Sequence, residues 1–295
     1  QKEHSINNES LKNISHSKQG PLTEFPRGAF AGDCLHRILE KISFQAATTS
    51  KESKALIEEE LRKSGFDINF LESIQKSIQR VLNVKLGGPL GNLSLNKVKE
   101  KNRIHELIFD IPISRKDNPL LSEDVSQAFL KEANTRFGTS YATEILKLNI
   151  CSSGFLTGSI DLVFSEKENN LDSRWWVIDW KSNWIGDKSR QDNSNNCGPY
   201  HYDQVAMEKQ MLSHHYPLQA HIYLLALHRL LKWRLPHYSP EIHLGGYIYI
   251  FLRGIPDENE FPGNSKKETT PGILIEAAPI GRILELNRIL NEDGQ

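Results

Sequence analysis

The stretch Trp175-Trp176-Val177-Ile178-Asp179-Trp180-Lys181 constrains this chain more than any other part of it. Aromatic and β-branched residues dominate it, and a polar run over 182–199 ends it, so it reads as an almost wholly apolar strand. Period-two geometry then turns Asp179 and Lys181 to one face and Ile178 and Trp180 to the other. A carboxylate and an ammonium therefore project together from apolar surroundings. Alone, an acid-x-lysine triplet reads as an ordinary surface ion pair on an edge strand. Its neighbours change the reading.

Residues 155–164 read as a second strand, joined to the first by the polar turn 165–173. Thr157, Ser159, Asp161 and Val163 are expected on one of its faces, and Leu156, Ile160 and Leu162 on the other. Asp161 is thus expected to meet Asp179 across a hairpin. A third strand, 104–111, carries Glu106 on the face of Ile104 and Ile108. Two carboxylates on adjacent strands form a hard oxygen site that suits Mg²⁺ and leaves coordination positions for water and a phosphate oxygen. A lysine beside them, Lys181, can orient the attacking hydroxide or stabilise the charged transition state. Together these residue types would complete a phosphodiesterase centre.

The rest of the chain frames these strands. From Ala31, Leu35, Ile38, Leu39 and Ile42 repeat at helical spacing, with Asp33 placed as the cap and His36 beside the apolar stripe. Further helices are predicted over 56–65, 70–82 and 122–137, then over 202–216 and 218–235, divided by Pro217. A last strand over 247–252 precedes a C-terminal helix. The fold class expected is α/β (α+β), a mixed β-sheet flanked by helices. Residues 1–24, rich in Asn, Ser and Lys, read as a linker or flexible tail, and 25–295 as one domain. Gln1 in place of methionine suggests that the chain was cut from a longer polypeptide or processed.

Composition excludes several classes. The 295 residues, 38% of them hydrophobic, support a real core. No apolar run of about 18 residues is present, so no membrane span is expected and a cytoplasmic setting is the default. Three cysteines, Cys34, Cys151 and Cys197, are too few for a four-cysteine metal or iron–sulfur site. The net charge of -1 argues against strong independent DNA binding. No Gly-x-x-x-x-Gly-Lys-Ser/Thr loop occurs.

Several runs together resemble the PD-(D/E)XK nucleases, and within them the RecB-type nuclease domains. They include Phe25-Pro26-Arg27-Gly28, Leu35-His36, Pro112-Ile113-Ser114, Gly158-Ser159-Ile160-Asp161-Leu162-Val163-Phe164 and Asp179-Trp180-Lys181-Ser182-Asn183-Trp184. The resemblance continues through Tyr216-Pro217-Leu218-Gln219 and Gly245-Gly246-Tyr247-Ile248-Tyr249 to Phe251-Leu252-Arg253-Gly254. It implies a restriction-endonuclease-like sheet, with Asp161 and Asp179 as metal ligands, Lys181 as the catalytic lysine and His36 as a further ligand. It also implies Glu106 as an acidic site residue, and Gln219 and Tyr223, one helical turn apart, as residues that contact DNA or brace Lys181. Ile178 before Asp179 and Trp180 after it depart from the usual pattern without touching a proposed ligand side chain.

The function implied is Mg²⁺-dependent hydrolysis of DNA, single strands favoured and Mn²⁺ able to substitute, within a RecBCD-type repair and recombination complex. RecC-like and RecD-like partners go with that family, and ATP would act only through a helicase part outside this chain. The alternative is a nuclease fold kept as a catalytically silent DNA-binding or docking module; retention of Asp161, Asp179 and Lys181 together argues against it. Lys188, Arg190 and Lys209 are candidates for a basic DNA channel.

Overall fold

The computed structural model describes residues 19–113, 119–167, 172–188, 195–257 and 270–291. Three helices come first: α1 (Ala29–Lys41), α2 (Lys51–Lys63) and α3 (Leu71–Asn83). In α1 the apolar positions Cys34, Leu35, Ile38 and Leu39 fall on one buried stripe. Its cap is Gly28, at φ 95, and Asp33 lies inside the helix. A left-handed turn that glycine tolerates starts the helix earlier than a capping acid would. Ser50 caps α2, its hydroxyl accepting the Ser53 amide at 3.2 Å. Residues 1–18 lie outside the described residues, whereas Leu22 and Thr23, assigned above to the tail, are buried.

The five-stranded sheet runs in the order β1 (Arg103–Ile113), β2 (Gly154–Ser165), β3 (Trp175–Lys181), β4 (Leu244–Phe251) and β5 (Ile273–Ala277). Neighbours are antiparallel except β3 and β4, which are parallel. A parallel pair needs a long crossover. Here α6 (Gln204–Ser213) and α7 (Tyr216–Arg234) supply it. At the start of β4, a Cβ on Gly245 would lie 2.4 Å from the Trp176 ring, so glycine makes room for that indole.

Alternation along the strands feeds two cores. Val177, Tyr247, Tyr249 and Phe251 pack against α4 (Ser122–Phe129), α5 (Thr139–Leu146), α6, α7 and α8 (Ile280–Leu290). Trp176, Ile178, Trp180, Ile248 and Ile250 pack against α1, α2 and α3. The molecule is thus a mixed sheet covered by helices on both faces, a restriction-endonuclease-like architecture.

Two helix expectations needed redrawing. The helix expected over 122–137 ends at Phe129, and α5 follows separately. The buried Arg282 guanidinium donates to the Glu132 carbonyl at 2.9 Å, and the Thr135 hydroxyl donates to the same carbonyl at 2.7 Å. Both hydrogen bonds compete with a continuing helix. Between α6 and α7 the break falls at His215, at φ 54, and Pro217 sits in the first turn of α7.

The hairpin β1–β2 also differs from a flat ribbon. Leu156 and Ile160 pack into the first core, but Leu162 and Phe164 pack into the second. The ribbon rolls over between Ile160 and Leu162, so Ile160 and Leu162 do not share one face as strict alternation predicts. On β1 the pairs His105↔Leu162 and Leu107↔Ile160 flank Glu106, which stands across from Asp161 with φ 47. A left-handed residue breaks the pleat at that point.

Candidate active site

β2 and β3 pair from Ser165↔Trp175 to Leu162↔Ile178, and there the ladder ends. β3 continues beside β4 as far as Lys181↔Phe251. A gap therefore opens between β2 and β3 where Asp161, Asp179 and Lys181 lie. Asp161 fills part of it: its Oδ2 accepts the Trp180 amide at 2.8 Å, in place of a ladder partner.

His36 arrives from α1. Its Nε2 donates to the Trp180 carbonyl at 2.9 Å, and its Nδ1 lies 3.5 Å from Asp161 Oδ1. One turn earlier, a Cβ on Gly32 would lie 2.9 Å from Ser182 Oγ, so glycine lets α1 come down on the loop after β3. Burial opposes a charge on His36, but the hydrogen bond and negative charge of Asp161, with that of Asp179, outweigh it and raise its pKa. In this arrangement the imidazole is a donor. To act as a ligand it must offer an unprotonated nitrogen.

Asp179 is 4% exposed, and its Oδ2 lies 2.5 Å from Lys181 Nζ. The contact is a close ion pair, with Tyr223 beside the same carboxylate. Burial raises the Asp179 pKa to about 6, against the pull of Lys181 and with the charge of Asp161 adding to the rise. A carboxylate that is buried and set near a second carboxylate favours a cation beside it.

Lys181 is held in turn. Its ammonium donates to Gln219 Oε1 at 3.2 Å and stands 4.0 Å from the centre of the Tyr216 ring and 5.3 Å from that of Tyr249. The Tyr249 hydroxyl, 3.0 Å from both Gln219 Oε1 and the Tyr216 carbonyl, fixes the same amide. Gln219 Nε2 donates to the Tyr223 hydroxyl at 2.8 Å. Tyr223 also lies beside Asp179, and burial together with the nearby carboxylates pushes its hydroxyl well above the ordinary tyrosine range.

His36, Asp161, Asp179, Lys181, Gln219 and Tyr223 thus form one chain of contacts. Glu106 joins at its edge: the Ser159 hydroxyl donates to Glu106 Oε2 at 2.7 Å, two residues before Asp161 on the same strand. Three participants were missed from the sequence: Tyr216, Tyr249 and the Trp180 carbonyl. Tyr216 could have been found, because it lies three residues before Gln219 on the same helix. Tyr249 needed the parallel register Asp179↔Tyr249, which no local pattern encodes. Of the channel candidates, Lys209 is exposed on α6, Arg190 lies outside the described residues, and so does the side chain of Lys188.

Among the described residues, no group of three or more His, Cys, Asp or Glu side chains is arranged to hold a metal ion. Mg²⁺ does not require such a cage, because it commonly takes one or two carboxylates and completes its shell with water and substrate oxygens. Asp161, Asp179 and the Trp180 carbonyl are oxygen donors of that kind, so the residues present fit the ion. Cys34, Cys151 and Cys197 are free thiols. No helix among the described residues is long and apolar enough to cross a membrane.

The fold and this cluster define an α/β protein of the restriction-endonuclease-like class, with acid-x-lysine on a central strand and a second acid on its antiparallel neighbour. Over most of its length the chain is similar to RecB subunits of RecBCD enzymes. It is 31% identical over 251 residues to the RecBCD enzyme subunit RecB of Escherichia coli (strain K12), a match that covers 85% of this chain and 19% of that protein. It is 32% identical over 244 residues to the RecB subunit of Buchnera aphidicola subsp. Baizongia pistaciae (strain Bp), covering 82% of this chain and 18% of that one. Against the RecB subunit of Mycobacterium tuberculosis (strain CDC 1551 / Oshkosh) the figures are 29% over 247 residues, 80% and 21%. The chain spans about a fifth of the length of these curated relatives. No family model matches it.

Proposed function

We propose that the chain is a Mg²⁺-dependent DNA nuclease, the hydrolytic part of a RecBCD-type repair and recombination machine with RecC-like and RecD-like partners. One observation carries the reading: where β2 and β3 part, a buried carboxylate sits against a lysine whose ammonium is braced by Gln219, Tyr216 and Tyr249. A surface ion pair needs none of that bracing.

Asp161, Asp179 and the Trp180 carbonyl would hold the cation, with His36 as a further ligand once neutral. Bound there, Mg²⁺ supplies charge neutralisation at a phosphate oxygen and acidifies water. Lys181 presents its ammonium to the reacting phosphodiester, where it orients the attacking water by hydrogen bonding and offsets the negative charge that builds on phosphorus oxygens. Gln219 and the two tyrosine rings limit where that ammonium can go, which keeps its placement from depending on substrate. Glu106, hydrogen-bonded to Ser159, adds a third carboxylate at the edge that can order water or discourage a second phosphate from entering.

Affinity for DNA comes largely from phosphate neutralisation, and a chain of net charge -1 offers little of it beyond local patches. A motor on a larger assembly would deliver the strand instead, and ATP would act through that motor. The test is cleavage of single-stranded and duplex oligonucleotides by the purified chain across a salt titration. Slow, salt-sensitive cutting of single strands is expected with Mg²⁺ or Mn²⁺, stopped by a chelator and indifferent to ATP. Undiminished cutting in excess chelator would contradict the metal, and intact DNA under every divalent ion would favour a silent docking module.

A further inference from the structure

Three runs that took no part in the chemistry above meet in space: Phe25-Pro26-Arg27-Gly28, Ser182-Asn183-Trp184 and Phe251-Leu252-Arg253-Gly254. Arg253, just beyond the end of β4, is 1% exposed, yet among the described residues no acid pairs with it in a salt bridge. Its guanidinium is spent on main-chain carbonyls. Nε donates to Ser182 at 3.0 Å, Nη2 to Pro26 at 2.6 Å, and Nη1 to Phe25 at 3.1 Å and to Leu22. The first acceptor follows Lys181 directly, and the others lie in the turn that launches α1 and hence His36.

A second strap joins the same two segments: the Arg27 guanidinium lies 3.5 Å over the Trp184 ring. Tyr202 fixes the next carbonyl, its hydroxyl donating to Asn183 at 2.7 Å. The two segments so tied flank one contact of the candidate site, that between His36 Nε2 and the Trp180 carbonyl. A buried cation without an acid partner is costly, and four carbonyls satisfy it only while both segments stay in place. The planar fork of arginine suits this bridge, because its donors leave in fixed directions; a lysine ammonium can reach one segment but has no rigid reach to both.

We propose that Arg253 is a positioning residue of the candidate site, tying the turn before α1 to the loop after β3 so that His36, the Trp180 carbonyl and the carboxylates keep one arrangement. This rests on reading that site as a metal centre. Arg253 touches neither substrate nor ion; it acts through the main chain of Ser182 and of 22–26. Losing a partner that orients metal ligands typically costs about 10- to 100-fold in metal affinity.

The experiment compares wild type, Arg253→Lys and Arg253→Gln by Mn²⁺ calorimetry without DNA, thermal melting and amide hydrogen exchange. Arg253→Lys should melt cooperatively yet bind Mn²⁺ about 10- to 100-fold more weakly, with 20–28 and 182–186 losing exchange protection together. Wild-type Mn²⁺ affinity in a folded Arg253→Lys, or loosening of only one of the two segments, overturns the proposal. If neither variant folds, wild type decides it: Mn²⁺ should protect both segments in step, and protection of 182–186 alone overturns it. Wild type that binds Mn²⁺ but leaves DNA intact sinks the nuclease reading, while the affinity comparison still judges Arg253. Wild type that binds no Mn²⁺ removes both.

Discussion

Asp179 and Lys181 are two residues apart on one strand, yet they are expected to fail differently when replaced. Asp179→Ala removes an oxygen donor, so Mn²⁺ binding and DNA cleavage should be lost together. Lys181→Ala removes a charge that is no ligand, so most metal binding should survive while the cleavage rate falls by about 10²- to 10³-fold. Calorimetry and a matched cleavage assay separate the two, and equal metal affinity in both variants would contradict the roles given them. Titration of Asp179 makes a further prediction. In the metal-free chain its pKa is raised to about 6, so a cation must displace a proton below that pH and meets a carboxylate above it. Mn²⁺ affinity should fall as His36, whose pKa is raised, takes up its proton, and fall further below pH 6 as Asp179 does, by up to about tenfold per pH unit for each group. An affinity flat from pH 5 to pH 8 would show that Asp179 is not a ligand.

At the scale of elements, the site exists because two strands that pair well at one end separate at the other. Strand identity, the Asp179–Lys181 face and the helix bearing His36 were legible in the sequence, since each follows from local periodicity around residues such as Ile178 and Leu35. The roll of the β1–β2 ribbon was not, because strict alternation along 155–164 predicts a flat hairpin. What breaks it is the conformation of one residue, Glu106 at φ 47, which composition does not reveal. Tyr249 and the Trp180 carbonyl escaped for a related reason: they reach the site through inter-strand register and main-chain atoms. Glu106 therefore offers a test in stability. Glu106→Gly and Glu106→Ala both lose the Ser159 hydrogen bond, so the difference between them isolates the backbone. Glycine in a strand is ordinarily the less stable choice. Here it should be the more stable by about 1 kcal/mol, read from paired thermal melts. Alanine melting higher than glycine would mean that the left-handed turn at Glu106 is not retained.

Across the whole molecule, the layer opposite α1 is closed by a second buried arginine. Arg282 of α8 donates to His221 Nε2 at 3.1 Å, while His221 Nδ1 donates to the Pro217 carbonyl at 2.6 Å. Burial first, and then the Arg282 charge, lower the His221 pKa from 6.5 to about 3. The unfolded chain takes up this proton near pH 6.5, whereas the folded chain resists it until about pH 3. The stability linked to His221 is therefore complete above pH 6.5 and is lost as pH falls from there toward 3. The melting temperature should drop across that window, and His221→Gln should flatten the drop; an unchanged slope would place the acid sensitivity elsewhere. This closed layer fixes α7, and α7 presents Gln219 to Lys181, so the far core and the candidate site share one rigid helix. His36, Asp161, Asp179 and the Trp180 carbonyl are expected to surround one divalent cation beside Lys181. Anomalous diffraction from crystals grown with Mn²⁺ locates that ion. A strong peak in contact with both carboxylates and the Trp180 carbonyl, within reach of His36, is the predicted result. A map with no peak there, or a peak held by other residues, would contradict it.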